Sequence, residues 1–337
     1  MKNFLHKKGV SLSPKVYFVD ALSFMALGLF SSLIIGLIFK TIGEQLHVDT
    51  FVEIGKLSMG LMGPAIGAAV AYGLQAPPLV IFSSLICGAA GAALGGPAGS
   101  YAAALIATEI GKVVSKQTKI DIILTPFVTV LTGYFVASFI GPSIDAFMKG
   151  FGSVVMWSTE QRPILMGILV AILMGLALTA PISSAAIALM LNLEGIAAGA
   201  ATIGCCAQMI GFAVSSYREN GIGGLFAQGI GTSMLQVPNI VKNPLILIPP
   251  TIAGALLAPF GTVLFQITNN AAGAGMGTSG FVGQIMTITT HGFTAEVFFQ
   301  ILILHFIGPA AISLVLSEWM RKKGFIKPGD MKLNIGG

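Results

Sequence analysis

Charged side chains are scarce in this sequence: Asp, Glu, Lys and Arg make up 9% of the 337 residues, against about 25% in average soluble domains. Hydrophobic residues account for 55%, and the mean hydropathy is +0.89. This balance excludes an ordinary water-soluble globule and also excludes disorder, which requires many charges and few apolar residues. The apolar runs are continuous, whereas the strands of a membrane β-barrel alternate apolar and polar residues. The sequence therefore predicts an all-α polytopic membrane protein.

Cysteine is rare as well, and the motifs of soluble enzymes are absent. Cys87, Cys205 and Cys206 lie in apolar runs and form no C-x-x-C motif, so neither a zinc site nor a redox pair is predicted. We expect the three thiols to pack as small apolar groups. No Walker loop, H-E-x-x-H or G-x-S-x-G motif occurs. The sequence therefore predicts no catalytic site of its own, no metal and no cofactor.

The sequence is rich in long uncharged runs and in glycine. The uncharged runs are 21–39, 57–108, 122–144, 163–193, 195–217, 220–241, 243–295 and 297–317. A membrane span needs about 20 apolar residues, so the two longest runs can each hold two crossings. The 43 glycines follow no Gly-x-y period, which excludes collagen, and they suit closely packed membrane helices. We predict about ten transmembrane helices within a single membrane-embedded domain, 1–337.

The basic residues predict the orientation of the chain. Lysines precede the first apolar run, and a cluster that begins with Arg321 and Lys322 follows the last one. Such clusters stay on the cytoplasmic side, so we expect cytoplasmic tails at 1–18 and 321–337 and an even number of crossings. The clusters adjoin membrane spans and no basic domain accompanies them, so no nucleic-acid partner is predicted. Residues 141–161 have apolar positions at helical spacing and predict an amphipathic helix in the membrane interface.

An internal repeat relates approximately 57–141 to 163–261. Gly73-Leu-Gln-Ala-Pro77 resembles Gly175-Leu-Ala-Leu-Thr-Ala-Pro181, and a Ser-Ser pair follows each, at Ser83-Ser84 and at Ser183-Ser184. The second half carries an insertion, roughly 217–239. Duplicated halves that enclose a midplane site are typical of transporters. The alternative is chance similarity between two segments rich in Ala and Gly.

A polar, uncharged segment at 267–292 is the strongest candidate for a solute site. Five glycines fall within eleven residues, at 273, 275, 277, 280 and 283, and each costs a helix up to ~1 kcal/mol relative to Ala. Non-helical backbone at membrane depth persists only where protein or a wet cavity satisfies it. We therefore predict a re-entrant or broken helix that binds a polar solute through Asn269, Asn270, Thr278, Ser279 and Gln284. The alternative is a flexible loop outside the membrane.

Four further side chains are candidates for the same site. His291 and Glu296 close the segment, and as a pair they can bind a sugar hydroxyl or carry a proton; the alternative is an interfacial turn. Glu194 lies just before the second Gly/Ala-rich span, and Gln208 stands at the repeat position of Thr108. Ionisable groups inside a membrane are functional hypotheses by default.

The segment Ala274-Gly-Met-Gly-Thr-Ser-Gly-Phe-Val-Gly-Gln284 resembles the phosphotransferase-system IIC-type membrane family that includes the perfringolysin O regulator. The basic start, the early Pro77-Pro78 turn and the basic C-terminal tail are similar too. The resemblance implies a multi-pass protein of the bacterial cytoplasmic membrane that forms a homodimer, in contact with lipid. It also implies re-entrant hairpins around a sugar, which separate cytoplasmic IIA and IIB proteins phosphorylate.

The sequence therefore favours a sugar permease of the phosphotransferase type, without the phosphorylating domains. Two other functions stay open. One is an ion-coupled secondary transporter of a small polar or anionic solute, and the other is a membrane regulator that senses a ligand.

Overall fold

The computed structural model describes residues 2–10, 13–180, 182 and 184–333. Within these residues all regular elements are helical, and the single β-type contact is an isolated bridge between Gly195 and Asn269. The predicted all-α class is confirmed. By its internal contacts the chain divides into two compact units, Met1–Phe147 and Met148–Gly337.

The first unit contains long helices and close helix contacts. Its helices are Lys2–Lys7, Val16–Ala21, Leu22–Leu29, Phe30–Ile34, Ile35–Leu46, Asp49–Gly60, Met62–Gly73, Pro78–Val114 and Asp121–Thr159, the last of which continues into the second unit. Glycine permits the close packing: a Cβ on Gly63 would stand 2.7 Å from the carbonyl oxygen of Gly88. Lys112 and Glu109 form the ion pair expected from their spacing, at 3.3 Å.

The second unit surrounds one buried helix, Gly195–Ser215, which we call the central helix. The helices of this unit are Pro163–Thr179, Ser184–Met190, Gly195–Ser215, Tyr217–Phe226, Ala227–Gly231, Ser233–Gln236, Val237–Lys242, Pro244–Leu247, Ile248–Pro259, Phe260–Leu264, Ala271–Ala274, Ser279–Phe281, Val282–His291, Ala295–Ile301, Leu302–Ile307 and Gly308–Lys322. Small residues let neighbours approach the central helix closely. Its Cys205 and Met209 are fully buried against Val170 and Met174. All three cysteines are buried free thiols, as expected.

Fewer helices are long and apolar enough to cross a membrane than the uncharged runs suggested. Within the described residues six qualify by length and composition, or seven if the bent pair Asp49–Gly60 and Met62–Gly73 is one span. The difference arises because several of the runs fold into short pieces instead of single long helices. Run 163–193 holds the 17-residue helix Pro163–Thr179 and then a separate short helix. Run 220–241 is divided among four short helical turns.

The segment predicted as a separate amphipathic helix, 141–161, lies mostly within a longer helix. Residues 141–159 continue the helix that begins at Asp121, so they do not make a separate helix.

The halves of the predicted repeat fall in different units. Gly96 and Gly195, which each precede a Gly/Ala-rich helical stretch, have φ of 58° and 64°. Pro181 and Ser183, which the repeat also uses, lie outside the described residues, as do 334–337 of the predicted tail, and the repeat stays a prediction.

Candidate functional site

The polar segment 267–292 is broken in the structure. It contains the short helix Ala271–Ala274, a turn, and the longer helix Val282–His291. Between the two helices, Gly277 and Gly280 take left-handed conformations with φ of 56° and 53°. Phe281 follows with φ of 59°, a conformation that is rare for a bulky residue. Backbone strain of this kind costs on the order of 1–3 kcal/mol and is common at functional sites.

The segment lies against the central helix. A Cβ on Gly277 would stand 2.8 Å from the carbonyl carbon of Cys205, so only glycine fits this approach. The Sγ of Cys205 is 3.7 Å from the carbonyl oxygen of Ala274, and the amide nitrogen of Gln284 is 3.3 Å from the Sγ of Cys206. The polar side chains of the segment are therefore largely inside the unit, and Thr278 is fully buried.

Asn269 organises the beginning of the segment. Its Nδ2 lies 2.8 Å from Thr202 Oγ1 and 3.0 Å from both Thr287 Oγ1 and the Gly283 carbonyl oxygen. Its Oδ1 accepts the backbone N–H of Asn270 at 2.8 Å. Its own N–H donates to the carbonyl of Gly195 at 3.1 Å. Both hydrogens of the amide nitrogen are already used within the protein, so Asn269 acts by holding the segment to the central helix.

The other predicted polar groups of this half also have protein partners. Thr278 Oγ1 donates to the carbonyl of Gly229, and Ser279 Oγ donates to the carbonyl of Gly231 at 2.9 Å. Both acceptors belong to the π-helical turn Ala227–Gly231. Asn270 Oδ1 accepts the N–H of Gly273 at 3.1 Å and caps the short helix. The segment is thus fastened to two neighbours, the central helix and the insertion.

Gln284 and His305 are two neighbouring side chains of the described residues that each carry a buried polar atom without a partner. Gln284 Nε2 lies 3.2 Å from His305 Nδ1. Gln284 Oε1 and His305 Nε2 have no hydrogen-bond partner among the described residues, although both side chains are buried. Whichever way the amide and the neutral ring are oriented, one donor and one acceptor remain free. A hydroxyl group or a water carries both a donor and an acceptor, and so can pair with either of these atoms.

His291 and Glu296 each have a partner of their own. His291 Nε2 lies 2.7 Å from the backbone nitrogen of Thr268 and 2.8 Å from its Oγ1. Glu296 Oε1 accepts from Gln300 Nε2 at 3.2 Å. In the part of the chain that the structure describes, no recorded hydrogen bond or ion pair joins the two predicted partners.

Glu194 and Gln208 lie at different places along the central helix. Glu194 is exposed and precedes the first turn, where a carboxylate is favoured by the helix dipole. The carbonyl of the next residue, Gly195, is the acceptor for Asn269. Gln208 is buried, with Oε1 3.2 Å from Thr179 Oγ1 and Nε2 2.8 Å from Thr251 Oγ1. The structure thus brings Glu194 to the edge of the segment and places Gln208 in a separate polar network.

Sequence analysis missed several residues that hold the segment. Thr202 and Thr287 bind Asn269, and Thr268 binds His291. Thr287 has a signal in the sequence, because it is three residues from Gln284 and so shares a helix face with it. The carbonyl acceptors of the insertion have none. For a metal, the described residues contain no group of three His, Cys, Asp or Glu side chains that could hold an ion.

A family model described as "Phosphotransferase system, EIIC" matches residues 19–333. The match covers nearly the whole chain, including both units, the central helix and the polar segment. No curated protein and no solved structure matches the chain significantly.

Proposed function

The chain belongs to the phosphotransferase system EIIC family, and from this premise we propose that it is a permease that translocates a sugar or a similar polyol. Separate cytoplasmic IIA and IIB proteins supply the phosphoryl group, a division of labour that the family match supports. The protein works in the bacterial cytoplasmic membrane with both termini in the cytoplasm. It acts as a homodimer, which a mass measurement in lipid nanodiscs would register as two copies.

The observation that carries the choice of solute is the unpartnered pair Gln284 and His305. Its free donor and free acceptor complement a hydroxyl, which both accepts and donates a hydrogen bond. A polyol offers several such groups. The recorded partners of Asn269, Thr278 and Ser279 are neutral as well. A neutral environment suits a sugar and would hold an ion weakly, since a buried ion requires an opposite charge.

The test is a binding screen on purified protein in detergent with a panel of sugars and sugar alcohols, read as a rise in melting temperature. With the ligand found, Gln284→Leu should weaken binding several-fold, because one hydrogen bond contributes about 1 kcal/mol. Gln208→Leu is the matched control, since it removes a buried glutamine whose amide is already bonded to Thr179 and Thr251. Equal losses in both variants, or normal binding by Gln284→Leu, would exclude this site.

Uptake measurements separate the proposal from its alternatives. Membrane vesicles should accumulate the sugar only when soluble phosphotransferase proteins are supplied. Accumulation driven by a proton or sodium gradient alone would identify a secondary transporter instead. Loss of gene control without any loss of uptake on deletion would identify a regulator.

A further inference from the structure

Residues 325–333, which we call the strap, fold back onto the second unit after the helix Gly308–Lys322. Gly324, with φ of 77°, reverses the chain: its N–H donates to the Arg321 carbonyl and that of Phe325 to the Met320 carbonyl, both at 3.0 Å. This is the Schellman arrangement, which glycine permits at a helix end. A second turn follows, in which Gly329 has φ of 92°. The strap therefore has a defined backbone conformation that includes two glycine turns.

The strap is docked by apolar side chains. Ile326 and Met331 are fully buried. They belong to one hydrophobic cluster with Phe212 of the central helix, Ile246 and Met320. The strap therefore covers the end of the central helix and shares its core.

Side-chain amides of the insertion hold the backbone of the strap. Gln236 Nε2 and Asn220 Nδ2 donate to the carbonyl of Met331 at 3.0 and 2.8 Å. Asn239 Nδ2 donates to the carbonyl of Lys332 at 2.9 Å. The N–H of Leu333 donates to Asn220 Oδ1 at 2.8 Å. Gln236 and Asn239 are buried, and each has one further acceptor within the insertion. If the strap left, each would lose one of its two acceptors, and burying an unpaired donor is costly.

The same amides reach the polar segment. Gln236 Nε2 also donates to Gln228 Oε1 at 2.8 Å. Gln228 belongs to the turn Ala227–Gly231, whose carbonyls bind Thr278 and Ser279. A continuous series of hydrogen bonds and one short turn thus joins the strap to the middle of the segment.

We propose that the strap is a latch on the polar segment. While it is docked, it fixes the turn Ala227–Gly231 and through it Thr278 and Ser279. When it leaves, the turn loosens and the segment can move away from the central helix. The proposal depends on contacts within the second unit and does not require that the solute be a sugar.

Native cysteines report the movement. Cys205 and Cys206 are buried under Ala274 and Gln284, so N-ethylmaleimide should modify them only when the segment opens. The full-length protein in lipid nanodiscs is treated with the reagent, and modification of each cysteine is followed by peptide mass spectrometry. Met331→Asp, which places a charge in the strap's apolar site, should raise the rate at both thiols several-fold. Met331→Leu, which keeps an apolar side chain there, should leave the rate unchanged.

Two comparisons make the outcome decisive. Gln228→Met cuts the link at the turn and leaves the contacts of the strap with Asn220 and Asn239 in place, and it should also raise modification of Cys205 and Cys206. Cys87, buried in the first unit, should react at the wild-type rate in every variant. Unchanged rates at Cys205 and Cys206 would overturn the proposal. So would an equal rise at all three cysteines, because that would indicate general unfolding. Sugar binding is not measured, so this result is independent of the proposed function.

Discussion

At the scale of single residues, the candidate site separates groups that hold the protein together from groups that are free. Asn269, Thr278 and Ser279 suit a solute by chemistry, but the structure gives each of them a protein partner. Gln284 Oε1 and His305 Nε2 have no partner among the described residues, although the two side chains are in contact through Gln284 Nε2 and His305 Nδ1. A buried polar residue is therefore a candidate for solute binding only where its hydrogen bonds within the protein leave a donor or an acceptor free.

Asn269 and Asn270 provide a test of this distinction, because they are adjacent and chemically identical. Asn269→Ala should lower the free energy of unfolding by about 1–3 kcal/mol, since it removes the side-chain amide that donates to Thr202, Thr287 and the Gly283 carbonyl, while the backbone bond to Gly195 stays. Asn270→Ala removes only the cap of a four-residue helix and should cost less, about 1 kcal/mol. Thermal unfolding in detergent measures both. A larger loss in Asn270→Ala would contradict the role given to Asn269.

At the scale of elements, the second unit depends on irregular pieces packed on one regular helix. The central helix supplies small residues, and the polar segment, the insertion and the strap each approach it. Glycine is what permits the close approach at Gly277, because its left-handed φ and its lack of a Cβ are both needed there.

Alanine substitutions should reveal this requirement. Gly277→Ala should destabilise the protein by more than ~1 kcal/mol, because it adds the strain of a left-handed residue to a clash with the backbone of Cys205. Gly60→Ala is the control, since a Cβ there meets no atom within 4 Å and the residue ends an ordinary helix. It should be neutral or slightly stabilising. Equal melting temperatures for the two variants would exclude the close approach at Gly277.

At the scale of the whole molecule, the described residues form two compact units. The basic clusters predict that both ends of the chain are cytoplasmic. Reporter proteins fused before Met1 and after Gly337 should therefore both give the signal of a cytoplasmic location. A reporter that works only in the cytoplasm should be active at both ends, and one that works only outside should be inactive at both. An external signal from either fusion would contradict the cytoplasmic location of that end, and an external signal from only one would also contradict an even number of crossings. Placing the second fusion after Gly337 leaves the strap intact, which a fusion at Lys327 would not.

The sequence by itself determined the helical membrane class, the broken character of the glycine-rich segment, the burial of the thiols and the resemblance to the EIIC family. These features follow from composition and from short stretches of sequence. They can be predicted because backbone groups in lipid have no water to bind, so a membrane-spanning segment must form its own hydrogen bonds as an apolar helix. Tertiary structure alone decided the partners of the polar groups. Thr278 binds a carbonyl 49 residues away, and Asn239 binds one 93 residues away. A backbone carbonyl is the same in every residue, so no pattern of side chains marks which one a distant hydroxyl or amide will meet.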